Sequence, residues 1–489
     1  MHKLSIPLQG IDKRKGQLDV IERILQRLGL GGADQQGLGQ RATVGAAGTT
    51  VNVDLTARYQ TVEGWGTSLC WWAVVAGGWP DSSRNRLADL IFDPVEGLGL
   101  NVVRYNIGGG ENPAHNHMRA GGAVPGYQPQ SGQWVWGADA NQRWMLAAAR
   151  ARGANIFEAF ANSAPYWMTH SGCAAGSVDG GDNLRDDMVD TFADYLAEVA
   201  LHFREDWGVE FRTLAPFNEP LATHWKTPNK QEGCHVGRAQ QNTVVKRLAA
   251  ALAARGLDGT GISSNDEFRM DDLVDTFASY DGEARSLVAQ LNTHSYSGNR
   301  RADVREVAET NGKRLWMSEY GCSVGPHDHD AMDTPLALSA QIRRDMTGLR
   351  PAAWVYWQAV EDEAGHNWGL IHVPFSGDGA DYAMTKSYDA LGHYSRFIRP
   401  GSVLVGCDNA NALAAYAPSS QTLVVVHDNG SAADTTVALN LRGIEGATSA
   451  AVYRTSARES LARLPDIALS GSTLLAAAPA RSITTYVIS

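Results

Sequence analysis

The chain has 489 residues, 44% of them hydrophobic and 19% charged, with a formal net charge of −11. That length exceeds one ordinary domain and suits a large barrel with a companion domain, and the composition excludes a disordered chain. The negative balance, with no long run of Lys or Arg, argues against a nucleic-acid partner, and no apolar run approaches the roughly 20 residues of a membrane span.

After Met1-His2-Lys3 only residues 4–8 precede the charged Asp12-Lys13-Arg14-Lys15, which is not a secretory signal. The start therefore fits a mature or shortened form, or a protein that stays inside the cell. Leu18, Ile21, Ile24, Leu25 and Leu28 recur at helical spacing and a Gly/Gln-rich stretch follows, so residues 1–48 read as a short helix and linker without chemistry. Val51, Val53 and Leu55 alternate with polar residues and predict a half-exposed strand within residues 49–61.

From residue 62 to 398 short apolar runs alternate with helical patterns eight times. The candidate strands are 64–71, 102–107, 155–161, 212–217, 261–265, 290–294, 314–318 and 353–358. Between them, Met188, Phe192, Tyr195, Leu196, Val199 and Phe203 form an apolar stripe three to four residues apart, and Val244, Val245, Leu248 and Leu252 form another. Strands alternating with such helices imply a parallel sheet, and eight repeats predict an α/β fold closed as a (β/α)8 TIM barrel. After Pro400, short β-type runs at 404–405, 412–416, 422–427, 436–441, 450–453 and 483–487 predict an antiparallel β-sandwich over 399–489, which the strand at 49–61 joins by crossing back.

Two carboxylates directly follow apolar strands: Glu219 in Leu214-Ala215-Pro216-Phe217-Asn218-Glu219-Pro220 and Glu319 in Leu315-Trp316-Met317-Ser318-Glu319-Tyr320-Gly321. These are the C-terminal ends of the fourth and seventh barrel strands, and such ends converge on one face. Glycoside cleavage needs one carboxyl that protonates the leaving oxygen and one that is ionised to attack the anomeric carbon. A Glu that merely caps a helix or forms a surface ion pair is the alternative for each residue taken singly.

Asn218-Glu219-Pro220 and Ser318-Glu319-Tyr320-Gly321 resemble the corresponding strand ends of the clan A glycoside hydrolases. The opening Val62-Glu63-Gly64-Trp65-Gly66-Thr67-Ser68-Leu69-Cys70-Trp71-Trp72-Ala73 sharpens the resemblance to glycoside hydrolase family 30, most similar to its endo-β-1,6-galactanase group. Supporting segments are Val103–Gly109, Ala161–Met168 and Thr293–Tyr296, and the likeness runs from about residue 50 to 489.

The resemblance implies a retaining double displacement with Glu219 as acid/base and Glu319 as nucleophile, and Asn218 as donor to the sugar 2-hydroxyl. It implies a polysaccharide or oligosaccharide substrate, no cofactor, and a secreted monomer. From position, Arg104 pairs with Glu319 or ties strand ends together. Tyr296 hydrogen-bonds the nucleophile, and His294 contacts Glu219, substrate or only core. Trp167 and Trp357 are sugar contacts, whereas Trp65 and Trp72 are packing residues. Glu219 is expected to have the higher pKa of the pair.

Asp266 and Glu267 are rival carboxylates, and Glu361-Asp362-Glu363 reads as a solvated acidic face or a calcium site. The five cysteines have no metal-ligand spacing, so no zinc site is expected. Cys173 and Cys234 lie in Gly-flanked loops of neighbouring strands, where an exported protein could join them in a disulfide. Gly108-Gly109-Gly110 invites a phosphate-binding reading, but no Walker or Rossmann spacing follows. Two further readings are the same chemistry on another glycan (β-1,6-glucan, xylan, glucosylceramide or an exo-cleaved galactoside) and a non-catalytic carbohydrate-binding barrel.

Overall fold

The computed structural model describes residues 48–325, 328–362 and 368–489. The N-terminal helix and linker read from the sequence lie outside those residues, save Gly48.

The chain opens with strand β1 (Thr49–Thr61) and enters a closed barrel of β2 (Gly64–Ser68), β3 (Val102–Asn106), β4 (Ile156–Phe160), β5 (Thr213–Ala215), β6 (Gly261–Arg269), β7 (Val288–Ser297), β8 (Arg314–Tyr320) and β9 (Ala353–Gln358). Every neighbouring pair is parallel, including β2 with β9 at the closure. Helices cover the outside, so β2, β3 and β9 are buried on both faces, and their few polar residues, such as Arg104 and Asn106, are buried with them. The helix Val189–Glu205 buries Phe192, Tyr195, Leu196, Val199 and Phe203 on one stripe, with Asp190 in its first turn and Arg204 in its last, matching the helix dipole.

The eight strands fall where the hydrophobic pattern places them, with shifted ends. The first stops at Ser68 rather than Trp71, and the fifth-repeat strand β6 runs on to Arg269, which carries Asp266 and Glu267 inside the barrel.

After a small sheet of β10 (Val360–Glu361), β11 (Ile371–His372) and β12 (Ala383–Met384) comes the side domain. It consists of β13 (Val403–Cys407), β14 (Ala412–Ala417), β15 (Thr422–Asn429), β16 (Thr435–Arg442), β17 (Ser449–Ser456), β18 (Glu459–Ala468), β19 (Thr473–Ala478), β20 (Ser482–Ile488) and β1. Hydrogen bonding runs β18-β17-β20-β15-β14-β13-β1-β16-β19, a continuous nine-stranded sheet folded over its own core. Its pairings are antiparallel except that β1 lies parallel to β16, because β1 arrives from the opposite end of the chain. The period of two decides what each face does: Leu423 and Val425 of β15 enter the side-domain core, and Val424 and Val426 enter the barrel's. Across that interface Arg343 and Asp428 form a buried ion pair.

All five cysteines are free thiols. Cys173 and Cys234 do not pair, because the Cys173 sulfur faces Glu111 and His117 and that of Cys234 faces the His235 carbonyl. Among the described residues no helix is long and apolar enough to cross a membrane.

Candidate active site

The barrel interior is polar at its C-terminal end, and Arg104 sits at its centre with no exposure. The β3–β4 register sets Arg104 beside Glu158, and Arg104 Nε donates to Glu158 Oε1 at 3.1 Å. Nη1 donates to the Ser318 carbonyl at 3.1 Å and to Glu319 Oε2 at 3.2 Å, while Nη2 bonds Asp266. The guanidinium lies over the Phe160 ring, 4.0 Å from its centroid. Glu158 accepts in addition from Thr213 Oγ1 at 2.7 Å, Asn292 Nδ2 at 2.9 Å and Gln290 Nε2 at 3.0 Å. A buried charge with every lone pair engaged is the condition under which burial is tolerated. Both positions open to Arg104 in the sequence, partner of Glu319 and tie between strand ends, are therefore occupied at once.

Glu219 and Glu319 approach from opposite sides of this layer. The β7–β8 register brings Glu319 beside His294. His294 Nδ1 stands 3.0 Å from Glu219 Oε1 and 3.5 Å from Glu319 Oε1, and its Nε2 stands 3.2 Å from Asp266 Oδ1. One oxygen of each glutamate and a ring nitrogen of His294 lie within 4.8 Å of one another. Tyr296 Oη donates to Glu319 Oε1 at 3.1 Å, and His224 Nε2 reaches Glu219 Oε2 at 3.4 Å.

Glu219 and Asp266 both have left-handed backbones, with φ of 50° and 60°. Each such residue costs about 1–2 kcal/mol unless its surroundings impose it. Here the Glu219 N–H donates to the Asp266 carbonyl at 2.8 Å, and Trp225 Nε1 donates to the Glu219 carbonyl at 3.0 Å. Asn218 is 3% exposed, and its Oδ1 has no hydrogen-bond partner among the described residues.

The electrostatics reverse one expectation. Burial and the facing Glu219 and Asp266 carboxylates push the Glu319 carboxyl up to about 7, against the pull of His294 and Arg104. Burial also works to raise Glu219, but hydrogen bonds from His224 and His294 outweigh it and hold that carboxyl below its usual range. Burial opposes charge on His294 as well, yet Glu319 and Asp266 raise it to about 10. In the free protein Glu219 is thus the lower of the pair, because two imidazoles face it. His294 Nδ1 stands 3.0 Å from Glu219 Oε1, close enough for the two to share a proton.

Trp357 and Trp368 both stand against Gly321, where a Cβ would meet their side chains at 3.3 and 3.1 Å. Trp357 also packs edge-to-face on the buried Trp71, with ring centroids 5.8 Å apart. Trp368, which the sequence leaves undistinguished among core and rim tryptophans, lies edge-on to Tyr296 at 6.4 Å. Trp167 donates its indole N–H to the Gln128 carbonyl at 2.8 Å, and its half-buried ring packs on the core. Trp65 and Trp72 are buried packing residues.

The acidic run at 361 is not a solvated face at its first residue. Glu361 is buried and accepts from Arg119 at 3.4 Å and from Gln358, while Glu363 lies outside the described residues. Two buried acids carry no signal that the sequence reading used: Glu158 and Glu232. Burial pushes Glu232 up to about 8, and it accepts from Gly109 N, Val124 N and Asn106 Nδ2 to fix the loop after β3.

A family model described as O-glycosyl hydrolase family 30 matches residues 48–369. Among curated proteins, an endo-β-1,6-galactanase of Hypocrea rufa is 36% identical over 437 residues, 84% of this chain and 87% of its own. An exo-β-1,6-galactobiohydrolase of Bifidobacterium longum subsp. longum is 26% identical, covering 78% of this chain and 34% of that larger protein. Among solved structures, a conserved exported protein from Bacteroides fragilis superposes with a TM-score of 0.78 at 23% identity, over 90% of this chain and all of its own.

Proposed function

The chain belongs to glycoside hydrolase family 30 and is a glycoside hydrolase, and from that premise we propose that it cleaves β-1,6-galactosyl linkages of galactan and arabinogalactan-type polysaccharide with retention. The observation that carries retention is the approach of the two glutamates. Oxygens within 4.8 Å suit the roughly 5–5.5 Å carboxyl spacing of covalent catalysis better than the about 6.5–9.5 Å across which inverting enzymes place a water. Support for the sugar comes from the two curated relatives, whose names share β-1,6-linked galactose.

In this reading Glu319 attacks the anomeric carbon, its charge held by Arg104 and Tyr296. Glu219 protonates the leaving oxygen with the proton it shares with His294. Once Glu319 is esterified its negative charge is gone, so His294 loses one of the charges that keep it protonated, and Glu219 takes a proton from the incoming water. The unpartnered Asn218 Oδ1 is available to the sugar 2-hydroxyl. Trp357 and Trp368 flank Gly321, two residues after the nucleophile, and are the candidate sugar contacts, while Trp167 is assigned no part in the bond-breaking subsite.

De-arabinosylated arabinogalactan, β-1,6-glucan and xylan tested side by side separate the sugars. A ladder of galacto-oligosaccharides is expected; disaccharide alone points to the exo mode, and release only from another glycan overturns the galactan assignment. NMR of the first-formed product is expected to show the β anomer, and an α product excludes the double displacement. Turnover unchanged in Glu319→Gln leaves a binding barrel instead. We further propose that the protein acts outside the cell as a monomer, since a polymeric substrate is reached there. Light scattering of the purified chain and its recovery from culture medium test the two points.

A further inference from the structure

A second cluster of metal-ligating side chains lies away from the glutamate pair. Glu111, His115 and His117 come from the loop after β3, and Cys173 comes from the loop after β4. One ligand atom of each lies within 4.8 Å of every other. We propose that these four residues bind a divalent zinc-class ion that fastens the catalytic-face loops of the barrel together.

The edges of the cluster have the right lengths. An ion bonding sulfur at about 2.3 Å and nitrogen at about 2.0–2.1 Å in a tetrahedron spans an S···N edge of roughly 3.6 Å. Cys173 Sγ stands 3.6 Å from His117 Nε2 and 3.4 Å from Glu111 Oε2, and Glu111 Oε1 stands 2.9 Å from His115 Nδ1. Tetrahedral N···O and S···O edges are roughly 3.3 and 3.5 Å, so these three contacts need shift by only a few tenths of an ångström, and the remaining edges close from within 4.8 Å.

The surroundings orient the ligands as a metal site needs. His117 Nδ1 lies 2.5 Å from the Asn229 carbonyl, which takes the Nδ1 proton and leaves the Nε2 lone pair facing the sulfur. The Ala175 N–H points at Cys173 Sγ at 3.4 Å, a donor suited to a thiolate. The Cys173 backbone is itself pinned, its N–H donating to Thr169 Oγ1 at 3.1 Å and Ser171 Oγ at 3.2 Å. Binding releases the thiol proton to solvent, and the thiolate and carboxylate together neutralise the dication.

The donor set decides the class of ion. Two imidazoles and a thiolate exclude calcium and magnesium, which take oxygen, and select zinc or its spectroscopic stand-in cobalt. Four protein ligands leave no open position, so the ion is structural. Asn229 belongs to the loop after β5, and Arg119 of the first loop reaches Glu361 after β9, so the ion would brace much of the rim around the cleft. The residues are 62 positions apart between Glu111 and Cys173, which is why no cysteine spacing announces them. Among the described residues the other cluster of this kind, Glu219, His294 and Glu319, is the proposed catalytic site.

The test uses the full chain, stripped with a chelator and titrated with Zn2+ and, separately, Co2+. One equivalent of saturable binding is expected, with a thiolate-to-cobalt charge-transfer band, a raised Tm on zinc addition and slower proteolysis within residues 108–120. Cys173→Ala and His117→Asn should each weaken zinc by roughly 100-fold or more and abolish the band or alter it. Glu319→Gln should leave binding intact. No saturable binding, a cobalt spectrum without the thiolate band, or loss of the equivalent in Glu319→Gln but not in Cys173→Ala overturns the site. The wild-type cobalt spectrum decides the matter even if a variant fails to fold.

Discussion

Tyr296→Phe isolates one hydrogen bond at Glu319, the proposed nucleophile. The Tyr296 hydroxyl donates to Glu319 Oε1 at 3.1 Å, and burial with the nearby carboxylates keeps its own pKa well above the usual value, so it remains a donor across the working range. The ring stays in place without the hydroxyl, because it stacks on Phe268 with centroids 5.4 Å apart and planes 17° apart. A hydrogen bond to a buried charged group contributes about 1.5–3 kcal/mol, and a pKa unit is worth about 1.4 kcal/mol, so its loss raises the Glu319 pKa by roughly one to two units. The protonated glutamate is inactive as a nucleophile, so activity rises with pH through that pKa. Starting from a pKa of about 7, half of Glu319 is ionised at pH 7, and the variant leaves about 10% to 1%. We expect kcat/KM at pH 7 to fall about 5- to 50-fold, with the acid limb moved up by one to two units and the loss shrinking on the alkaline side. The assay is the pH profile of kcat/KM on a soluble β-1,6-galacto-oligosaccharide. An acid limb that stays put, that moves to lower pH, or a uniform loss at every pH refutes the reasoning.

Glu219→Gln removes the proposed acid, and turnover of natural linkages should fall about 10²- to 10⁴-fold. A nitrophenyl galactoside, whose leaving group needs no proton, should lose far less in its first step, and equal losses on both substrates contradict the assignment. Arg343→Met leaves Asp428 buried without its cation between barrel and side domain, where Arg343 also donates to Ser339 Oγ at 3.0 Å and the Ala410 carbonyl at 3.1 Å. Unfolding should become easier by about 3–5 kcal/mol with kcat unchanged at 25 °C, and calorimetry showing an unaltered Tm would sink that estimate. Glu267, pushed up to about 8 by burial and then by Asp272, holds a proton when folded that it releases when unfolded. Its contribution to stability therefore declines as pH rises from its ordinary pKa of 4.5 towards 8. Glu267→Gln should gain on the wild type over that window, by roughly 3–5 kcal/mol at its upper end, and parallel Tm-against-pH curves for the two proteins would exclude it.

The barrel was legible because its strands are short, mainly apolar runs that alternate with helical patterns, and the runs ending in Asn218-Glu219 and Ser318-Glu319 stand out among them. The side domain was partly legible. β18 is an edge strand with the sequence ESLARLPDIA, which has no fully buried position and carries a Pro, so no apolar run marks it. β19 escaped notice because its buried positions are Leu474, Ala476 and Ala478, two of which carry little β preference. Glu158 had a signal that can be stated. A lone charge in the buried run Ile156–Phe160 needs a partner, and Arg104 occupies the matching place in Val102–Asn106 on the adjacent strand. The order of the two glutamate pKa values had none, since His224 and His294 reach Glu219 from separate loops and strands.

The same inventory explains why a buried site so rich in carboxylates is suited to glycoside chemistry. Inside the buried layer Glu158, Asp266, Glu219 and Glu319 are paired with Arg104 and His294, and the half-exposed His224 reaches Glu219 from its edge. With all six ionised the layer is short of positive charge, and the oxocarbenium-like transition state brings positive charge to the point between Glu219 and Glu319. A proton can fill the same deficit, and burial makes Glu319 its recipient at about pH 7. The imbalance that favours the transition state is thus the one that sets the acid limit of activity. A substitution that relieves it at a distance from the substrate, such as Glu158→Gln, should lower the acid limb and weaken transition-state stabilisation together.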